Sequence, residues 1–258
     1  MTSDFLAMNA VAAVIASYGL LMNATAVVIG GMVIAMLLGP ITGIALGLVE
    51  GDARLLRRAL VTEAAGAALV LAIAFAIGLL HPDLPAGNEM LSRTSPTIMD
   101  EIVALAGGVA AAYALTAPRL ASSIAGVAIA TALVPPLAVS GMMLARSDTD
   151  LARGALLLYI ANFVAIQFAS AVVLWVKGYH RVLATADRRR GRVVGNGVAL
   201  GLLVTLTVVL GLNFHRSIER ERFHRQVRTA VTEETALLPG LQLVDLQMSE
   251  ERDPLALR

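Results

Sequence analysis

The chain has 258 residues, of which 57% are hydrophobic and only 15% charged, with a mean hydropathy of +0.76 and a net charge of +1. A soluble domain carries roughly 25% charged residues, so the composition argues against a water-soluble fold, and near-neutral charge gives no basis for a nucleic-acid partner. Cysteine is absent, which removes disulfides, thiolate metal sites and thiol nucleophiles together.

A bilayer span needs about 20 mostly apolar residues. Seven stretches qualify in chain order: 5–22, 24–49, 59–80, 96–115, 120–145, 154–176 and 193–212. The first lacks a basic leader and an Ala-x-Ala cleavage signal, so it reads as a retained helix. Residues 21–23 leave almost no loop before the second span. Those two spans therefore form a tight hairpin, or one of them is partly re-entrant. After the seventh span a polar tail, 214–258, opens as an amphipathic helix with Phe214, Ile218, Phe223, Val227 and Val231 near one face. Leu238-Pro239-Gly240 is a turn, and the alternation that follows it fits a half-buried strand.

Basic residues in short loops set orientation. Arg54, Arg57, Arg58, Arg119, Lys177, Arg181, Arg188, Arg189, Arg190 and Arg192 fall on one side, against Arg93, Arg146 and Arg153 on the other. This predicts a cytoplasmic N-terminus and an external tail, although Arg216, Arg220, Arg222, Arg225 and Arg228 in the tail oppose it.

Sliding the chain by 96 residues aligns 30–60 with 126–156, and nine of those 31 positions are identical. They include Pro40/Pro136, Asp52/Asp148 and Arg57/Arg153. Repeat one (about 5–80) thus resembles repeat two (about 96–176), with 193–212 as an added helix in a transmembrane domain of 1–213. A unit with an odd number of spans re-enters from the opposite side. The predicted fold class is therefore an all-α integral membrane protein of about seven spans, with two inverted three-helix repeats plus one helix, as in many secondary transporters. Pro40 and Pro135-Pro136 fall well inside their spans. Each proline removes a donor and frees an upstream carbonyl; simple packing kinks and functional breaks both account for that.

Individual side chains sharpen these expectations. Gly31, Ala35, Gly39, Gly43, Gly47 and Gly51 recur every fourth residue, a small-residue stripe for close helix packing or oligomerisation. Glu63 is a carboxylate within an apolar run, for which an ion pair with Arg57 and Arg58 one turn away is the simpler account and a functional carboxylate the sharper one. Ser95 is expected as N-cap with Pro96 at the first helical position. Arg93 either pairs with Asp83 or Glu89, or meets an anion. Tyr159, Asn162, Gln167, Ser170 and Asn196 offer interhelical hydrogen bonds or a polar pathway. The histidines have no metal-ligand spacing, and catalytic motifs are missing, so neither a metal, a cofactor nor an enzyme is expected.

The segments SYGLLMNATAVVIGGMVIAMLLGPITGIALGLVEGD, LSRTSPT and GVAIATALVPPLAVSG resemble the prokaryotic "uncharacterised hydrophobic domain" family, the domain of unknown function 389, over residues 17–175. Met36 departs from that pattern, which more often carries a further proline there. The resemblance implies a polytopic plasma-membrane protein of bacteria and archaea, with no established activity and no transferable site residues. It directs attention to Asn23, Pro40, Arg93, Ser95, Pro135 and Pro136. Symmetry and broken helices suggest a homo-oligomeric transporter or channel-like protein for a small solute or ion, with Asn162 added to those residues along the pathway. A non-transporting scaffold or sensor that oligomerises and reads a partner through its tail is the alternative.

Overall fold

A computed structural model of the protein describes residues 2–117 and 122–179, with side chains throughout except over 122–131. The expected seventh span, the tail and Arg119 lie outside the described residues. All described elements are helical: α1 (Ser3–Leu21), α2 (Thr25–Ile34), α3 (Leu38–Glu50), α4 (Ala53–Leu80), α5 (Asn88–Leu91), α6 (Ile98–Thr116), α7 (Ser122–Ala145) and α8 (Thr149–Val176). Four of these, α1, α4, α6 and α8, are long and apolar enough to cross a membrane, and α2 with α3 makes a fifth if the bent pair is one span.

That pair is bent by 60° at a break over Ala35–Leu37. The expected break near Pro40 is therefore found, but it falls before the proline. Pro40 sits in the first turn of α3, where a missing N–H costs nothing because the first turn has no intrahelical acceptors. The break also splits the glycine stripe. A Cβ on Gly31 would come within 2.9 Å of the Ala16 backbone nitrogen on α1, whereas one on Gly47 would lie 2.8 Å from the Leu56 nitrogen on α4. Gly43 approaches Ala59, Gly39 has nothing within 4 Å, and Gly51 is a corner residue at φ 69°.

Pro135 and Pro136 behave differently from the expectation, because α7 runs through both without interruption. Asn162 of α8 explains how. Pro136 cannot donate to the carbonyl four residues upstream, that of Ala132, and the Asn162 side-chain amide donates to that carbonyl instead, at 2.9 Å.

Two corners of the chain share one design. The Asp52 side chain accepts from the Arg54 and Leu55 nitrogens, and that of Asp148 from the Leu151 nitrogen, so both aspartates cap the following helix. Each aspartate's own N–H returns to the carbonyl five residues earlier, Gly47 or Met143, at 3.0 Å. Each is preceded by a left-handed residue, Gly51 at φ 69° or Ser147 at φ 62°.

Side-chain contacts fix which loops share an end of the bundle. Asn23, itself at φ 52°, accepts from the Glu89 nitrogen at 2.8 Å, and the Tyr18 ring meets His81 edge-on. Arg146 donates to the His81 carbonyl at 3.2 Å, and Gly154 packs so closely on the Thr94 carbonyl that a Cβ has no room. Residues 23, 81–97 and 146–154 thus gather at one end. At the other, Lys177 donates to Thr116 at 2.5 Å and lies 3.7 Å from the Tyr113 ring centroid. The Gly51 corner begins α4, whose 28 residues separate it from His81 by about 42 Å. Since α2 leaves the end that holds Asn23 and α3 finishes at the start of α4, the bent pair makes one traverse rather than a re-entrant loop.

The core is lined by small residues, with Ala12, Ala13, Ala16, Ala74, Ala104 and Ala138 fully buried. α4 and α8 each pack against both α3 and α7, while α1 lies on α4 and α6 on α8.

Candidate functional site

Bilayer-spanning helices expose apolar residues to lipid and turn their few polar ones inward. The buried face of α4 runs Ala59, Glu63, Gly66, Val70, Ala74 and Ile77, which puts one carboxylate in an otherwise apolar stripe. Glu63 is 3% exposed. Its Oε1 accepts from the Tyr159 hydroxyl on α8 at 3.3 Å, and its Oε2 has no hydrogen-bond partner. The ion pair expected with Arg57 and Arg58 is absent: the described salt bridges are Arg93–Glu89 and Arg153–Asp150. The reason is helical phase. Arg57 and Arg58 are exposed whereas Glu63 lies on the inward stripe.

Glu63 is ten residues from the start of α4 and Tyr159 ten residues from the start of α8. Those starts are at opposite ends of the bundle, so each side chain enters about 15 Å along its own helix and the two meet near mid-height. One turn beyond Glu63 is Gly66, where a Cβ would lie 3.0 Å from the Phe5 ring and 3.9 Å from Leu37 at the α2–α3 break. One turn beyond Tyr159 is Asn162, bonded to α7 at the Pro136 irregularity. Tyr159 also stacks on Phe163, their centroids 6.1 Å apart. Buried Glu63 and Asn162, half-buried Tyr159 and the two proline-bearing segments therefore form one constellation.

Other residues singled out from the sequence lie elsewhere. Asn23 and Arg93 converge on Glu89 at the loop end, Asn23 through the backbone nitrogen and Arg93 by a 3.5 Å ion pair. Arg93 thus pairs with an acid there. Ser95 is exposed and caps nothing; Thr97 is the N-cap of α6, in a capping box with Asp100, and Pro96 lies outside the helix. The box wins because Thr97 and Asp100 have the three-residue spacing that satisfies two N–H groups reciprocally. With Asp100 so used, Glu101 turns inward, 1% exposed and with neither oxygen bonded.

Sequence reasoning gave no place in the site to Tyr159 as Glu63's partner, although the signal was present: the two are 96 residues apart, the repeat spacing itself. Asn9, Ser17 and Ser140 are further buried polar side chains that were not singled out individually from the sequence. Among the described residues no group of three His, Cys, Asp or Glu side chains could hold a metal ion.

Comparison with known proteins gives a family of unknown function. Residues 32–168, more than half of the chain, match the family described as Domain of unknown function (DUF389). An uncharacterised protein of Methanocaldococcus jannaschii is 28% identical over 178 residues, covering 69% of this chain and 55% of its own length. The chain thus spans about half the length of the curated relative that it matches. No solved structure matches it. The matched stretch begins at Met32, late in α2, and runs through the α2–α3 break, Glu63, Pro136, Tyr159 and Asn162, and the chain belongs to the DUF389 family.

Proposed function

We propose that the protein is a transporter or channel-like protein for a small ion or solute, with its site at mid-membrane between two inverted three-span repeats. The observation that carries this is the Glu63–Tyr159 contact, a nearly inaccessible carboxylate one turn from Gly66, which faces Leu37 at the α2–α3 break. A broken span leaves backbone ends inside the membrane, and those ends are where transporters of inverted-repeat design bind their cargo.

Several facts support the inverted arrangement. The corners at Asp52 and Asp148 have the same hydrogen bonding but belong to opposite ends. The ring contacts Tyr18–His81 and Tyr113–Lys177 occupy equivalent repeat positions, with one residue of slip at the tyrosines, again at opposite ends. Exchanging the repeats also maps helix contacts onto one another: α1–α4 onto α6–α8, α3–α4 onto α7–α8, and α4–α7 onto α8–α3. Two residues in equivalent positions that touch each other, as Glu63 and Tyr159 do, lie on the axis relating the halves.

The basic loops 54–58 and 177 mark the end we assign to the cytoplasm of a prokaryotic cell. The protein is read as a homo-oligomer rather than an enzyme.

The test is flux of small ions and solutes into proteoliposomes holding the full chain. Wild type should carry at least one of them, and Glu63→Gln should lower that flux about tenfold or more, since a charge-assisted contact contributes roughly 1.5–3 kcal/mol. If nothing is carried, and removal of residues 214–258 abolishes the protein's cellular role, a scaffold or sensor replaces the transport reading.

A further inference from the structure

The mid-height constellation also has a charge, and the charge selects a ligand. We infer that Glu63 and Tyr159 form a binding site for a single monovalent cation, an alkali-metal ion or a proton; this rests on the site proposed above and names its ligand class.

The repeat relationship brings together one carboxylate and one phenol instead of two carboxylates. A phenol at neutral pH is uncharged, so the axis carries a single negative charge. Among the described residues, no element packed around it neutralises that charge. On α4 itself, Arg54, Arg57 and Arg58 are exposed on other faces. On α1 the titratable groups are Asp4, exposed at the helix start, and Tyr18, engaged with His81. On α3 there is Glu50 at its far end, and on the described side chains of α7 there are none. On α8, Arg153 pairs with Asp150, and Lys177 lies at the opposite end over Tyr113.

An isolated ionised carboxylate in such surroundings costs several kcal/mol after relaxation, and half of its oxygen capacity, Oε2, is left without a donor. Both deficits vanish together when one cation sits on Oε2. An anion would double the buried charge. A divalent ion would leave an uncompensated positive charge and would need more acidic ligands than the described residues gather. Tyr159 contributes in two ways, by donating to Oε1 and so aiming Oε2 away from itself, and by offering its own lone pairs. For a proton the occupied state is simply the neutral carboxylic acid, with no other bond formed or broken.

The experiment uses the full chain in lipid nanodiscs, with radiolabelled sodium or rubidium as one probe and a potentiometric count of protons taken up as the other. The expected result is saturable binding of one equivalent per chain by one of the two probes. Glu63→Gln should lower it about tenfold or more, Glu63→Asp should keep it within about tenfold, and Tyr159→Phe should weaken it less than Glu63→Gln does. Binding of the alkali ion identifies a metal-ion site. Proton uptake lost in Glu63→Gln, without alkali binding, identifies a proton site. Sodium, rubidium and proton uptake all unchanged by Glu63→Gln, in protein that retains its native size-exclusion profile, overturns the inference. Cation binding in the absence of any flux would leave the site standing and remove the transport reading. Flux of a solute untouched by residue 63 would keep transport as an activity, move its path away from the Glu63–Tyr159 contact and overturn the cation site.

Discussion

The two halves of this molecule solve one problem in opposite ways. Each repeat carries a proline at the equivalent depth, Pro40 and Pro136, and each must dispose of a carbonyl that the proline cannot serve. In the first repeat the helix opens over Ala35–Leu37, and the proline drops harmlessly into the first turn of α3. In the second, α7 stays continuous because Asn162 reaches across from α8. The residue at Asn162's repeat position in α4 is Gly66, which has no side chain to offer. The difference between a broken and an unbroken span thus tracks one side chain on a neighbouring helix. A proline makes a break available, and its surroundings decide whether the break is taken.

Packing at the corners separates the halves further, and here the largest effect is expected. Gly47 lies where its counterpart in the second repeat is Met143, a buried residue 2% exposed. The first repeat has no room for that side chain, since even a Cβ would meet the Leu56 backbone at 2.8 Å. Gly47→Met should destabilise the protein by about 3 kcal/mol through overpacking, seen as a lower midpoint in detergent unfolding. Met143→Gly should act differently, leaving a cavity and a floppy helix end instead of a clash. Equal tolerance of methionine at both positions would mean that the two corners pack alike after all.

Next in size is the Asn162 bridge. Asn162→Ala should cost about 1–3 kcal/mol, the penalty for a buried carbonyl left without a donor. Pro136→Ala, which restores an N–H able to reach the Ala132 carbonyl, should make residue 162 nearly silent. A double-mutant cycle measures this directly, and a coupling energy near zero would break the account of why α7 is continuous.

Part of this was legible in the chain. Apolar length located the four long helices and the bent pair, and the small-residue stripe and the 96-residue sequence repeat were visible by inspection. Asp52 and Asp148 aligned in sequence and turn out to perform the same capping task. What could not be read was anything that depends on which helix faces which. The carboxylate of Glu63 is one turn from two arginines in sequence, but helical phase points it inward to Tyr159. The glycine stripe looked like one face and became two, because the break at Ala35–Leu37 rotates α3 onto α4 while α2 keeps to α1. The expected N-cap at Ser95 was a different kind of miss, local to one helix start: the three-residue spacing of Thr97 and Asp100 lets them cap each other reciprocally and moves the cap to Thr97.

The smallest expected effect tests the corners on their own terms. Gly51 and Ser147 both adopt a left-handed backbone, at φ 69° and φ 62°, immediately before the capping aspartate. Glycine enters that region freely, whereas a residue with a Cβ carries a cost of roughly 1 kcal/mol. The second corner therefore holds strain that the first lacks. Ser147→Gly should stabilise the protein by about 0.5–1 kcal/mol, partly offset by the greater freedom glycine gives the unfolded chain. Gly51→Ser should lose a similar amount. Reciprocal shifts in the detergent-unfolding midpoint would show that the two corners are one conformation carried by different residues. A loss of stability in Ser147→Gly would instead mean that the Ser147 side chain contributes something its backbone geometry does not reveal, and the equivalence of the corners would be local to their aspartates.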